Sequence, residues 1–499
     1  MSDTVALDNI FEAQQSAFYK KPMPSADERM DNLHRLEQGM LKYRTKLIAA
    51  ANMDFGCRSE DETMLAEIIP SVEDIRYIRK NVKKWMKPSH RKTGILFKPA
   101  KAMVIYQPLG VVGIITPWNY PIYLSMGPLA GALGAGNRAI IRMSKNTPET
   151  AKTLQTMIRE FFHEDHVALM TANEGSGSAF ATKKWDHLFF TGSTSVGRQI
   201  MKAASSNLTP VTLELGGKSP AIISAKFPMK DAAERIAFGK IFNMGQTCVA
   251  PDYVLCPRAQ VNEFVRLFKG SIEKMYPTMK NNPQYTSIIN EQEYSRLQQM
   301  VVDAKSKGAQ IISINPSNES FSFNLADGLP GGVDQNRGDI VNTAKNRAIQ
   351  SVNTRKIPVT LLLNVTDQML VMQDEVFGPL LSVIPYDKPE DAINFVNSRP
   401  RPLAIYYFDY DNTQVNYFLT HTHSGGVLVN DTLVHVPQDD LPFGGIGDSG
   451  MGQYHGYEGF LTFSKAKGVL IKHKFNSGKF VYPPYGSKIH QLLYKMFLG

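Results

Sequence analysis

The stretch "MVIYQPLGVVGIIT", residues 103–116, reads as two short apolar strands parted by Pro108 and Gly110. The next hundred residues keep the same texture: "GPLAGALGAGN", "RAIIRMS", "TPETAKTLQTMIREFF", "VALMT" and "HLFFTGS" alternate helix-like and strand-like segments. Such alternation predicts βαβ units, hence a largely parallel sheet with helices on its faces. A second α/β stretch, about 218–440, offers strands at "PAIIS", "DYVLCP", "LLSVIPY" and "GGVLVN". Ahead of both lies a helical lead-in, where Ser25 and Glu28 have capping-box spacing and Met30, Leu33, Leu36, Met40 and Leu47 recur at helical intervals. Two segments resist this pattern. The polar run 315–342 reads as a long surface excursion, and "LPFGGIGDSGMGQYHG" (441–456) is too turn-dense for a core element.

Composition narrows the class. With 499 residues, 43% hydrophobic and 20% charged, the chain has material for two or three packed units. Its three cysteines (Cys57, Cys248, Cys256) form neither a disulfide framework nor a zinc site, so reduced thiols and a cytoplasmic location are expected. The start "MSDTVALDNIF" lacks a basic region before an apolar run, and no apolar run approaches the roughly 18–20 residues of a membrane span. The net charge of +9 is spread thinly; its densest patch, 79–92, reads as a solvated helix face rather than a nucleic-acid surface.

Four segments could carry chemistry. "FNMGQTCVAP" (242–251) sets Cys248 in a decapeptide with no charged side chain, where Gly245 leaves room and no acid stands closer in sequence than Asp252. A thiol titrating near 8.5 needs dipoles, a charge or a base to attack at neutral pH. In "VTLELGGKSP" (211–220), strand alternation puts Leu213 and Leu215 on one side and Glu214 on the other, facing a cleft or solvent. Gly216 and Gly217 then permit close approach. "TPWNYP" (116–121) holds Asn119 between two prolines, and its amide can donate to an oxygen gaining negative charge. "FFTGSTSVGRQI" (189–200) is a strand and Gly-x4-Gly turn opening a helix, suited to phosphate. Arg198 and Gln199 stand where a nucleoside triphosphatase has Lys and Ser/Thr, so it fails as that motif.

With "EVFGPLL" (375–381) and "LPFGGIGDSGMG" (441–452) added, these segments in this order resemble the NAD(P)-dependent aldehyde dehydrogenase superfamily over nearly the whole chain, most of all its class 3 branch and the coniferyl aldehyde dehydrogenases. The resemblance implies a Rossmann-type cofactor domain (1–89 and 109–216), an α/β catalytic domain (217–445), a small β oligomerisation projection (90–108 and 446–473) and a C-terminal tail (474–499). It implies that Cys248 attacks an aldehyde, that the Asn119 amide and the Cys248 N–H hold the oxyanion, and that Glu214 activates water. It assigns Gly192, Ser193 and Gly197 to the pyrophosphate and adenine side of the cofactor, Trp118 to the nicotinamide side, and Glu375 and Phe377 to the nicotinamide ribose. No metal is expected.

Two departures stand out. Arg142 replaces the usual lysine at the adenine ribose and Lys145 the frequent glutamate, so NADP should be accepted beside NAD, with a preference for it within reach. The chain between Cys248 and Glu375 also exceeds that of most relatives. Tyr120, Tyr123, Met126, Phe242, Met244, His435 and Phe443 are expected to line the aldehyde tunnel, favouring aryl or longer alkyl aldehydes, with coniferyl aldehyde first and a fatty aldehyde second. A homodimer paired through the β-projection is expected, with the apolar tail "GSKIHQLLYKMFLG" packed on the subunit rather than in a membrane.

Overall fold

In the computed structural model, which describes residues 3–174, 176–321 and 354–499, Val111–Ile115 lies within a six-stranded sheet. The order is Gly450–Met451, Val211–Leu215, His187–Gly192, Val111–Ile115, Arg138–Arg142, Val167–Met170. The last five are parallel, and every residue of Val111–Ile115 is buried, as expected of a strand covered on both faces. In chain order those five strands run 3-2-1-4-5 when numbered for the doubly wound arrangement, whose binding crevice opens beyond the carboxyl ends at the switch in strand order. Those ends lead straight into "TPWNYP" and "GSTSVG".

The glycine-rich segment is not merely a run of turns. Gly450–Met451 adds to this sheet as an antiparallel strand, with Gly450 opposite Glu214. A Cβ on Gly450 would lie 2.2 Å from the Leu213 carbonyl oxygen, so only glycine can come this close.

A seven-stranded sheet carries the second α/β region, in the order Gln310–Ile314, Val359–Leu363, Leu380–Tyr386, Tyr253–Pro257, Pro220–Ile223, Ala404–Phe408, Gly426–Val429. Only the first of these runs antiparallel to its neighbour. A third sheet joins Ser89–Arg91, Lys101–Pro108 and Ser464–Ile471. The expected 315–342 excursion lies outside the described residues from 322 onward.

The lead-in is helical, and Ser25 and Glu28 cap Ala26–Phe55 reciprocally. Helix Tyr123–Ala135 is buried at all of its residues, consistent with a sequence apolar on every side. Its entry just after Asn119 fixes that loop against the core. The tail differs from expectation: in helix Lys488–Leu498 only His490 is buried, while Leu492, Tyr494, Met496, Phe497 and Leu498 are exposed. Among the described residues no helix is long and apolar enough to cross a membrane, and no three His, Cys, Asp or Glu side chains cluster as a metal site.

Candidate active site

A cavity of about 430 Å³ opens where the carboxyl ends of the six-stranded sheet face the loop that leads into Tyr253–Pro257. Trp118, Asn119, Gly192, Ser193, Glu214, Cys248, Glu375 and Phe377 all line it. Separate segments, scattered from 116 to 377, thus converge on one space. Arg142, Lys145 and Gly197 do not line it. Arg142 is half-buried at the end of its strand and Lys145 is exposed just beyond. Gly197 is a close-packing position: a Cβ there would sit 2.6 Å from Leu215 Cδ2, so its absence lets helix Thr194–Ser205 lie against the Glu214 strand.

The Cys248 loop is shaped by three successive left-handed residues, Asn243, Met244 and Gly245, at φ +50°, +51° and +70°. A Cβ at Gly245 would meet the Gly378 carbonyl oxygen at 2.4 Å, so the thiol loop and the "EVFGP" loop touch backbone to backbone. Arg296 fixes the latter loop from behind, donating to the carbonyls of Glu375 (3.2 Å) and Val376 (2.7 Å). Asp252 accepts the Val376 N–H at 2.9 Å and also pairs with Lys218. Gly216 makes room for the Glu375 carboxyl, since a Cβ would fall 1.9 Å from its Oε2. Across the cavity, Trp118 meets Phe377 edge to face with ring centroids 5.3 Å apart.

Electrostatics here run against the thiolate. Burial first, then Glu375 and Glu214, push the Cys248 thiol up to about 12 against the N–H groups of Cys248 and Val249, which pull it down. Distance along the sequence is a poor guide on this point: the nearest acids in space come from strands and loops far away in the chain. Glu214 is 3% exposed, and neither carboxyl oxygen has a hydrogen-bond partner among the described residues. Burial therefore holds it well above the carboxylate range. Burial, with Asp252 adding, pushes Glu375 up to about 8. A protonated thiol beside two carboxyls that resist ionisation is an arrangement in which protons can be passed at mildly alkaline pH.

The wall is largely apolar, built from Trp118, Leu124, Phe377, Leu403, Phe443 and Tyr454. Of the expected lining, Phe443 is present, whereas Met126 and Met244 sit in the main core. Tyr120 and Tyr123 pack with Leu124, Phe242 and Val436 beside it. Leu124, Leu403, Tyr454 and Arg296 were missed by sequence reasoning. Arg296 lies in an ordinary amphipathic helix, Glu291–Ser306, and pairs locally with Glu293, so nothing in its neighbourhood signals a reach to Glu375.

The aldehyde dehydrogenase family profile matches residues 1–321 and 339–469. A probable coniferyl aldehyde dehydrogenase of Pseudomonas aeruginosa is 52% identical over 492 residues, covering 99% of this chain and 96% of that one. A coniferyl aldehyde dehydrogenase of a Pseudomonas species is 42% identical over 488 residues, covering 98% and 95%. The solved substrate-bound AldH of Staphylococcus aureus superposes with a TM-score of 0.86 at 32% identity, covering 99% of each chain. Likeness on this scale, end to end and around a cysteine that shares its cavity with Asn119, Glu214 and Glu375, means that this chain belongs to the aldehyde dehydrogenase family.

Proposed function

We propose that the enzyme oxidises aromatic and other apolar aldehydes to free carboxylic acids with NAD or NADP, and that coniferyl aldehyde, giving ferulate, is the favoured substrate. The observation that carries this reading is the meeting of Cys248, Asn119 and the partnerless carboxyl of Glu214 on one apolar-walled cavity. Coniferyl aldehyde suits a wall of aromatic rings, and the 52% identical relative bears that substrate in its name. Leu124 and Leu403 also suit an aliphatic chain, so a fatty aldehyde is the second reading.

In this mechanism the Cys248 sulfur attacks the aldehyde carbon and its proton passes to a carboxyl in the cavity. The resulting oxyanion is held by the Asn119 amide and the Cys248 N–H, donors fixed before reaction and shielded from water. Glu214 later takes a proton from water, which attacks the thioester carbon and releases the acid. Because Glu214 has no competing hydrogen bonds among the described residues, its carboxyl stays available to that water.

The chain also fits a dinucleotide. The crevice lies at the switch point of the six-stranded sheet, the Ser193 hydroxyl does not cap the first-turn amides of Thr194–Ser205, and Gly216 clears the space that Glu375 enters. Gly192 and Ser193 would hold the phosphates, Glu375 and Phe377 the nicotinamide ribose, and Arg142 with Lys145 a 2′-phosphate. When bound, the nicotinamide supplies the hydride acceptor that turns the thiohemiacetal into a thioester. A homodimer would extend the three-stranded sheet at the edge strand Ser464–Ile471.

A panel of cinnamyl, benzyl and alkyl aldehydes, each run with NAD and with NADP and with product identified, tests the reading. A highest kcat/KM for a cinnamyl aldehyde supports it. A best rate on betaine aldehyde or succinate semialdehyde overturns the substrate, and a preference for NAD above roughly tenfold overturns the proposed use of Arg142 and Lys145.

A further inference from the structure

The Asn119 and Cys248 loops belong to different sheets, and what joins them lies behind the cavity. Asn243, wholly buried, donates from Nδ2 to the carbonyls of Asn119 and Gln246, each at 3.1 Å. Its backbone N–H is accepted by the Glu62 carboxylate, which also accepts from the Thr286 hydroxyl. Arg58 donates to the same Asn119 carbonyl at 3.4 Å and pairs with Glu67 at 2.6 Å. Glu67 in turn accepts the N–H groups of Ile122 (2.6 Å) and Tyr123 (3.2 Å), just beyond Asn119. Tyr120 and Thr247 join hydroxyls at 2.6 Å, tying the two loops once more.

Local geometry explains how one helix serves both loops. Residues Met64–Ile68 form a π-turn, in which the Ile69 N–H reaches back to Met64. Its wider winding brings residues five apart to one side, so Glu62 and Glu67 both face Arg58. Asn243 meanwhile holds a left-handed backbone that side chains seldom adopt and that persists where surroundings enforce it. Here Glu62 and Gln246 enforce it, for the Gln246 amide donates to the Asn243 carbonyl (3.0 Å) and to the Ser287 carbonyl (3.1 Å).

We propose that Asn243, held by Glu62, is a positioning residue that sets the spacing between the Asn119 amide and the Cys248 N–H, the two donors of the oxyanion hole. It rests on the assignment of those two donors under the proposed function. Asn243 itself touches neither aldehyde nor cofactor; it acts through the peptide of Asn119.

A double-mutant cycle tests this, with kcat and the KM for NAD measured for the wild type, Asn119→Ala, Asn243→Gly and the pair. Glycine accepts the left-handed backbone, so N243G removes the amide alone. Expected are losses in kcat of roughly 100-fold or more for N119A and about 10- to 100-fold for N243G. The double variant should be no slower than N119A, because the amide of 243 has nothing left to align. The KM for NAD should stay unchanged throughout. Glu62→Ala provides a second arm with the same expected non-additivity, and Glu62→Gln, which keeps an acceptor for the Asn243 N–H, should recover most of the rate. Losses that multiply, or a wild-type kcat in N243G and E62A, would overturn the positioning role while leaving the oxyanion hole standing. An undiminished rate in N119A would instead remove the oxyanion hole itself, and the positioning role with it.

Discussion

Two glutamates are buried near the Asn119 loop, Glu67 bonded to the N–H groups just beyond it and Glu214 on the cavity that Asn119 lines, and they are treated in opposite ways. Glu67 is ringed by donors: Arg58 at 2.6 Å and two backbone N–H groups, so that burial pushes its carboxyl up while these partners pull it back. Among the described residues Glu214 has no such compensation, and burial holds it well above the carboxylate range. A buried polar group left without partners costs free energy that folding must overcome, so its retention marks a site used for something else. On the proposed mechanism the satisfied acid is scaffold, and the orphaned one does the chemistry.

The difference is sharpest in turnover. Glu214→Gln keeps the shape but removes the proposed base, and kcat should fall by roughly 10²- to 10⁴-fold, with a build-up of acylated enzyme seen as a burst followed by slow steady state. A loss confined to KM would break the distinction. The scaffold side predicts the converse. Arg58→Met strands Glu62 and Glu67 without their cation and should destabilise the fold by about 3–5 kcal/mol in denaturant titration, since it leaves buried carboxyls uncompensated. Unchanged stability would mean that this ion pair holds nothing.

Acidity gives a smaller effect. Carboxyls whose values are raised are protonated below them, so the form of Glu214 able to take a proton grows as pH rises beyond the ordinary carboxylate range. The pH profile of kcat should therefore climb on the mildly alkaline side by about tenfold per unit while a single such group limits the rate. An optimum near pH 6 would contradict it. Smallest is the effect of Glu214 on stability. With its folded value above its unfolded one, the unfolded chain loses this proton first, so the folded state loses ground as pH rises above the ordinary carboxylate range. Glu214→Gln should thus melt higher than the wild type at pH 8, and the gain should shrink toward pH 4.5. A lower melting point in the variant would show that the carboxyl is satisfied after all.

Most of the strands were legible because apolar runs in parallel sheets are buried on both faces and need little polar alternation. That Cys248, Glu214 and Asn119 meet at one cavity follows from segments that stand out for the inverse reason, as reactive or hydrogen-bonding residues where packing alone would make the chain apolar. What escaped has equally physical causes. Arg58, Glu62 and Glu67 lie at the start of a charged helix and look like ordinary solvated residues; their burial depends on where "TPWNYP" and "FNMGQTC" land. The raised thiol escaped because it depends first on burial and then on carboxyls close in space and distant in sequence. Gly450–Met451 escaped because its pairing rests on a backbone approach only glycine allows, in a segment whose turns hide it. The exposed apolar face of Lys488–Leu498 reads as packed from sequence, since helical spacing reports a face but not what covers it.

On the proposed mechanism one sulfur carries the acyl group and one orphaned carboxyl removes it. Mass spectrometry of Glu214→Gln protein, quenched after exposure to coniferyl aldehyde with NAD or NADP and digested, reads this directly. An acyl adduct on the peptide that holds Cys248 is expected; an unmodified Cys248 peptide, or an adduct on Cys57 or Cys256 instead, would contradict this mechanism.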